Sequence, residues 1–140
     1  MEPVDVVIDT NVLIAALRSR NGAAHRLLIS LPNNLYQPNI SMPLFFEYEA
    51  VAKRTGLVSG LTEKEIVAIL DYLLSKSAIR EIFYLWRPIL KDPKDDLVIE
   101  LAVESQSEYI ITFNKNDFQG VEKFGIKAVT PQQFMKERDF

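Results

Sequence analysis

The sequence predicts an α/β fold with a mainly parallel sheet, because short apolar strands alternate with helical patterns along the whole chain. Two observations narrow this. Tyr109 to Phe113 (YIITF) has the composition of a buried strand, and Val4 to Ile8 (VDVVI) opens the chain as another. With 140 residues, 48% of them apolar, the chain is the usual size of one compact domain, so residues 1–140 are read as a single domain with one core.

After the first strand comes Asp9-Thr10-Asn11, then an apolar helix from about Val12 to Leu17 and a second over Ala23 to Ser30. Leu35 to Gln37 reads as a short strand. Ser41 suits a helix cap with Pro43 in the first turn, the helix running to Arg54 and stopped by Gly56. Thr62-x-x-Glu65 is a capping-box pattern for a helix to about Ser75. Ile79 to Leu85 has strand composition, and Asp92-Pro93 pairs a cap with a first-turn proline for a helix to about Ser105. Ile126 to Val129 is a shorter strand, and Thr130-Pro131-Gln132-Gln133 opens a last helix.

Composition excludes several chemistries. With no cysteine, disulfide frameworks, thiolate zinc sites and cysteine nucleophiles are ruled out, and the single His25 rules out multi-histidine metal motifs. Neither a glycine-rich phosphate loop nor a G-x-S-x-G elbow is present, which argues against ATP hydrolysis and serine esterase chemistry. The net charge of -3 runs against broad electrostatic binding of nucleic acid. A divalent cation held among acids removes that tension, since it reverses the local sign and meets a phosphate. No run is long and apolar enough for a membrane span, and no cleavable leader pattern opens the chain, so a soluble cytoplasmic protein is the expectation.

The acids fall in four places. Asp9 projects at the carboxyl end of the first strand, where a plain helix cap would also put an aspartate. Glu47 and Glu49 border the apolar stripe of their helix on opposite sides, and periodicity does not choose between them. Asp92, Asp95 and Asp96 crowd one helix start, where dipole complementation alone accounts for acids. Asn114 and Asp117 follow the buried strand in TFNKND, and both are ordinary turn formers. In open α/β sheets the ligand crevice lies beyond the carboxyl ends of the strands, where Asp9 and the Asn114 to Asp117 turn both fall. Lys53, Arg54, Lys91, Lys94 and Lys115 are candidates for a basic rim. Phe83, Tyr84 and Trp86 read as core or strand surface rather than a base-stacking platform.

Taken in order, VVIDTNVLIAAL, SMPLFFEYEAVAKR, KDPKDDLVIELAVE and YIITFNKNDF resemble the PIN-domain family over nearly the whole chain. The likeness is strongest to its VapC-like branch, the toxin components of toxin–antitoxin pairs. Carried over by position, it implies Asp9, Glu47, Asp96 and Asp117 as the catalytic and metal-holding acids. Aligning Val51 to Arg54 on the family's helix end selects Glu47 over Glu49, and the distance to Ala102 selects Asp96 over Asp92 and Asp95, which become supporting residues. Asn114 matches a position that takes Asp or Asn. Thr10 and Asn11 match the family's D-T-N and are expected to orient Asp9.

The resemblance implies a three-layer α/β/α sandwich, Mg²⁺ or Mn²⁺ as cofactor, and hydrolysis of RNA to a 3′-hydroxyl and a 5′-phosphate. An antitoxin partner and a homodimer, with Phe46 as a candidate contact, are implied with it. An all-oxygen donor set suits those hard cations. Two other classes compete: a PIN-like domain that binds RNA or protein without cutting, and a receiver-like signalling domain with an acid pocket. The second needs an aspartate after the middle strand, where this chain has Trp86-Arg87-Pro88.

Overall fold

The computed structural model describes residues 3–31, 35–54, 58, 60–82 and 93–139, the side chains of 93–95 excepted. The chain runs β1 (Val4–Ile8), α1 (Thr10–Arg18), α2 (Ala23–Ile29), β2 (Tyr36–Ile40), α3 (Met42–Ala52) and α4 (Glu63–Ser75). It continues through β3 (Ala78–Ile79), α5 (Pro93–Glu104), β4 (Tyr109–Ile111), β5 (Lys127–Val129) and α6 (Pro131–Glu137). Two 3₁₀ turns, Lys115–Phe118 and Val121–Phe124, lie between β4 and β5.

Successive strand residues point to opposite faces, yet Val6 and Val7 are both fully buried. Both faces of the sheet are therefore covered, and the fold is an α/β/α sandwich. The strand order is β3-β2-β1-β4-β5 and every pair is parallel. From β1 the chain steps outward to β2 and β3, and then α5 carries it back to the other side of β1. The winding thus reverses between β1 and β4, which opens a crevice at their carboxyl ends. A receiver-type sheet runs 2-1-3-4-5 instead, so the strand order rejects the receiver-like alternative.

Helix starts follow their local chemistry. Thr62 and Glu65 close both halves of a capping box at α4, Thr130 and Gln133 do the same at α6, and Ser41 caps α3 through the Leu44 N–H. Differences from expectation have physical causes. The first helix begins at Thr10 rather than Val12, because Asp9 itself caps it. The second strand is Tyr36–Ile40 rather than Leu35 to Gln37, although it contains Pro38. Proline removes one ladder N–H there, and the buried Asn39 donates its amide to the Val6 carbonyl at 3.3 Å. The fourth strand ends at Ile111, and Phe113, expected inside it, is exposed. The β3 strand spans Ala78–Ile79, whereas Ile79 to Leu85 was expected; residues 83–92, with Phe83, Tyr84, Trp86, Lys91 and the Asp92 cap, lie outside the described residues, as does Gly56. Among the described residues no helix is long and apolar enough to cross a membrane.

Candidate active site

Asp9 leaves β1 in extended backbone, φ -67° and ψ 150°, so the helix starts at the next residue. Its two carboxylate oxygens take different partners: Oδ1 accepts from the Thr10 N–H at 2.9 Å, and Oδ2 accepts from the Thr112 hydroxyl at 2.8 Å. The Asp9 N–H donates to the Ile111 carbonyl at 2.9 Å, which ties the same residue to β4 through its main chain. Asp9 thus sits astride the point where the winding reverses. Dinucleotide-binding folds place glycines at the equivalent strand-to-helix turn so that a phosphate can reach the helix N-terminus. A carboxylate occupies that place here instead.

Thr112 is fully buried and its hydroxyl is saturated. It donates to Asp9 and accepts from the Asn114 N–H at 3.0 Å and the Asn11 amide at 3.4 Å. Asn11 in turn accepts from the Phe113 N–H at 3.4 Å. Thr10 and Asn11 were expected to orient Asp9 through hydrogen bonds, and the Thr10 main-chain N–H makes one. The Thr10 hydroxyl donates to Glu47, and Asn11 acts on Asp9 through Thr112.

That Thr10 bond brings Glu47 to the crevice. Glu49 lies elsewhere, 3.5 Å from Lys53 on an exposed flank. Behind Glu47, the buried Tyr48 donates its hydroxyl to the Ile8 carbonyl and so pins α3 to the end of β1. Burial, with the charges of Asp9 and Glu47, pushes the Tyr48 phenol well above its ordinary range, which keeps it a donor.

Burial pushes the Asp9 carboxyl up to about 6. The Thr112 and Thr10 hydrogen bonds oppose that rise, while the charges of Glu47 and Asp117 add to it. Asp117 is exposed in the 3₁₀ turn after β4, next to the exposed Asn114. The structure therefore brings Asp9, Glu47 and Asp117 into electrostatic contact.

Asp96, in the first turns of α5, is only 2% exposed, and Glu100 one turn on is equally buried. Burial is not what a solvated, dipole-complementing acid shows. Asp92 lies outside the described residues, as does the Asp95 side chain. Of the residues expected to form a basic rim, Lys91 and the side chain of Lys94 lie outside the described residues. Lys53 faces Glu49 and Glu63, and Lys115 donates to Gln133 at 3.2 Å.

Sequence reasoning missed Thr112, Tyr48 and Glu100. A threonine ending an apolar run and a tyrosine on an apolar stripe look like ordinary sheet and core residues. Glu100 carried a usable signal, its helical spacing from Asp96.

The donors fit a hard divalent cation by their chemistry, since all are oxygens and one is a buried carboxylate crowded by two others. Among the described residues, no three acids stand close enough to close a coordination shell by themselves.

A doubly wound parallel sheet with carboxylates at its switch point defines the class. Comparison with known families agrees: the model of the PIN domain matches residues 5–116, and the chain belongs to the PIN-domain family. Nothing among curated protein sequences matches this chain. Solved structures do match, 19 chains in all. One is VapBC2 from Rickettsia felis bound to a DNA fragment from their promoter, with TM-score 0.60 and 16% identity over 89% of this chain and 96% of that one. At that identity the likeness is one of fold.

Proposed function

We propose that this chain is a metal-dependent endoribonuclease that hydrolyses RNA phosphodiester bonds and acts as the toxin of a toxin–antitoxin pair. One observation carries the reading: a buried carboxylate, Asp9, stands at the switch point under the charges of Glu47 and Asp117. Such an arrangement is unfavourable empty and becomes favourable around a cation that also meets a phosphate. Membership of a family whose domains are generally nucleases supports it, and the fold likeness to a toxin–antitoxin complex supports the antitoxin partner.

Asp9, Glu47, Asp96 and Asp117 are the residues assigned to hold Mg²⁺ or Mn²⁺, with Asp92, Asp95 and Asn114 in support. Bound there, the ion would supply an activated water and neutralise developing charge on the phosphate. The protein's own part is positional. Thr112 fixes Oδ2 of Asp9 and favours its charged form, Thr10 holds Glu47 in the crevice, and Tyr48 keeps α3 seated on β1. A homodimer belongs to the proposal: Met42 and Phe46, four residues apart on α3, are both exposed, Phe46 by 60%. Phe46→Asp should then yield a monomer by light scattering. A cytoplasmic site of action follows from an RNA substrate.

Purified protein incubated with RNA tests the activity. Cleavage should require Mg²⁺ or Mn²⁺, leave 3′-hydroxyl and 5′-phosphate ends, and vanish in Asp9→Asn. Cleavage that persists in chelator, or in Asp9→Asn, overturns it. The non-cutting PIN-like alternative draws on the absence of a closed three-acid set among the described residues. It requires RNA that is bound and never cut with either metal.

A further inference from the structure

Phe113 directly follows Thr112, the residue that holds Asp9, yet 47% of it is exposed. A large apolar ring at the carboxyl edge of a sheet is ordinarily folded inward, as Ile110 and Ile111 just before it are. The backbone there is not loose: the Phe113 N–H donates to Asn11, and the Asn114 N–H donates to Thr112. Phe113, Asn114, Lys115, Asn116 and Asp117 line one open, mainly polar cup of about 460 Å³. Asp117 belongs both to this cup and to the charges acting on Asp9. The cup is joined to Asp9 through Thr112, which bonds both Asp9 and the Asn114 N–H, and it carries an aromatic ring, two amide side chains and a lysine on its wall.

We propose that Phe113 is a stacking platform for one nucleobase of a single-stranded RNA, seated in this cup beside the carboxylates. The inference rests on the nuclease reading and deepens it. An exposed aromatic beside polar amides is the means by which proteins hold unpaired bases, one face on the ring and the edges on hydrogen-bonding groups. Asn114 and Asn116 each offer a donor and an acceptor to such an edge. Stacking also answers the charge of -3, because it gains affinity without an excess of lysine and arginine. Duplex RNA presents no free base faces, so the platform selects single strands.

The test is binding of a labelled single-stranded oligoribonucleotide, carrying 2-aminopurine at successive positions, in an Asp9→Asn background that leaves the strand intact. Phe113→Ala and Phe113→Leu should each weaken binding by about 5-fold to 100-fold and abolish the quenching of one 2-aminopurine, while Phe113→Tyr stays within about 2-fold of Phe. The slope of log K against log salt should not change, since stacking releases no counterions. Leu binding as tightly as Phe, or Ala leaving affinity and quenching unchanged, overturns the platform; the second result marks Phe113 as a protein contact instead. A parallel cleavage assay with Asp9 intact, on the protein with and without the Phe113 substitutions, separates the two levels. Cleavage that is indifferent to Phe113 overturns only the platform, whereas no cleavage and no binding by any variant overturns the nuclease reading with it.

Discussion

Asp9 is at once a helix cap and a buried carboxylate, and the two roles use different oxygens. Folding raises its pKa from 3.8 to about 6, so between those values the native state binds more protons than the unfolded chain. Stability of the metal-free protein attributable to Asp9 should therefore fall as pH rises through that window, by about 3 kcal/mol at most. Denaturant midpoints in chelator, wild type minus Asp9→Asn, should show this slope between about pH 4 and pH 7, and a flat or opposite difference would refute it. Thr112 is the opposing influence. Thr112→Val should slow cleavage and move its acid limb to higher pH, with Thr112→Ser restoring both; an unmoved limb would make Thr112 merely structural. Glu47→Gln and Glu49→Gln should differ by orders of magnitude in cleavage at similar stability, because Glu49 pairs with Lys53 on the helix flank, where a pair contributes little. Equal losses would break the assignment. Asp9 was legible as a candidate because it follows a strand, whereas Asp117, an ordinary turn former by itself, was picked out only by the family resemblance. Thr112 was not legible, since a hydroxyl that finishes a β-branched run carries no local mark of its partner 103 residues away.

Elements were legible where local chemistry decides them and opaque where a neighbour does. The capping boxes of α4 and α6 are complete within four residues, and both formed where the pattern stands. In β2 the sequence marks a strand only as far as Gln37, because Pro38 and Asn39 are turn formers, and pairing with its neighbours carries the strand on to Ile40. Asn39 makes that possible. Its amide donates to Asp5, Val6 and Gln37 oxygens, and its carbonyl accepts from Arg80 Nε at 2.8 Å, which ties β1, β2 and the end of β3 together. Asn39→Ala should leave the Arg80 donor and the Val6 carbonyl without this partner and cost about 1–3 kcal/mol in a urea titration. A loss under about 0.5 kcal/mol would show that water replaces the amide and that the ladder tolerates Pro38 unaided. The same contrast explains Glu47. Helical periodicity placed it on the border of its stripe, and the partner that draws it into the crevice, Thr10, belongs to another element.

At the scale of the whole molecule, the proposed cation site draws its acids from four separate elements, so cation binding there would be linked to folding. Two carboxylates about 4 Å apart repel by roughly 4 kcal/mol at an effective dielectric near 20, a figure that relaxation and protonation reduce. The raised pKa of Asp9 comes first from its burial, and the charges of Glu47 and Asp117 add to it. A divalent cation that binds only the folded arrangement adds about 2.7 kcal/mol at roughly 100 times its dissociation constant. Removing one buried acid must then act in opposite senses on the two forms. Asp96→Asn should leave the metal-free protein as stable as wild type or more so, and should remove most of the gain on adding Mg²⁺ or Mn²⁺. An aspartate that only complements the α5 dipole predicts a loss of about 0.3–1 kcal/mol and no interaction with metal. Melting curves of both proteins, in chelator and in excess metal, distinguish the two. If both gain equally from metal, or neither gains, the carboxylate-pocket reading is wrong and Asp96 belongs to the helix start alone.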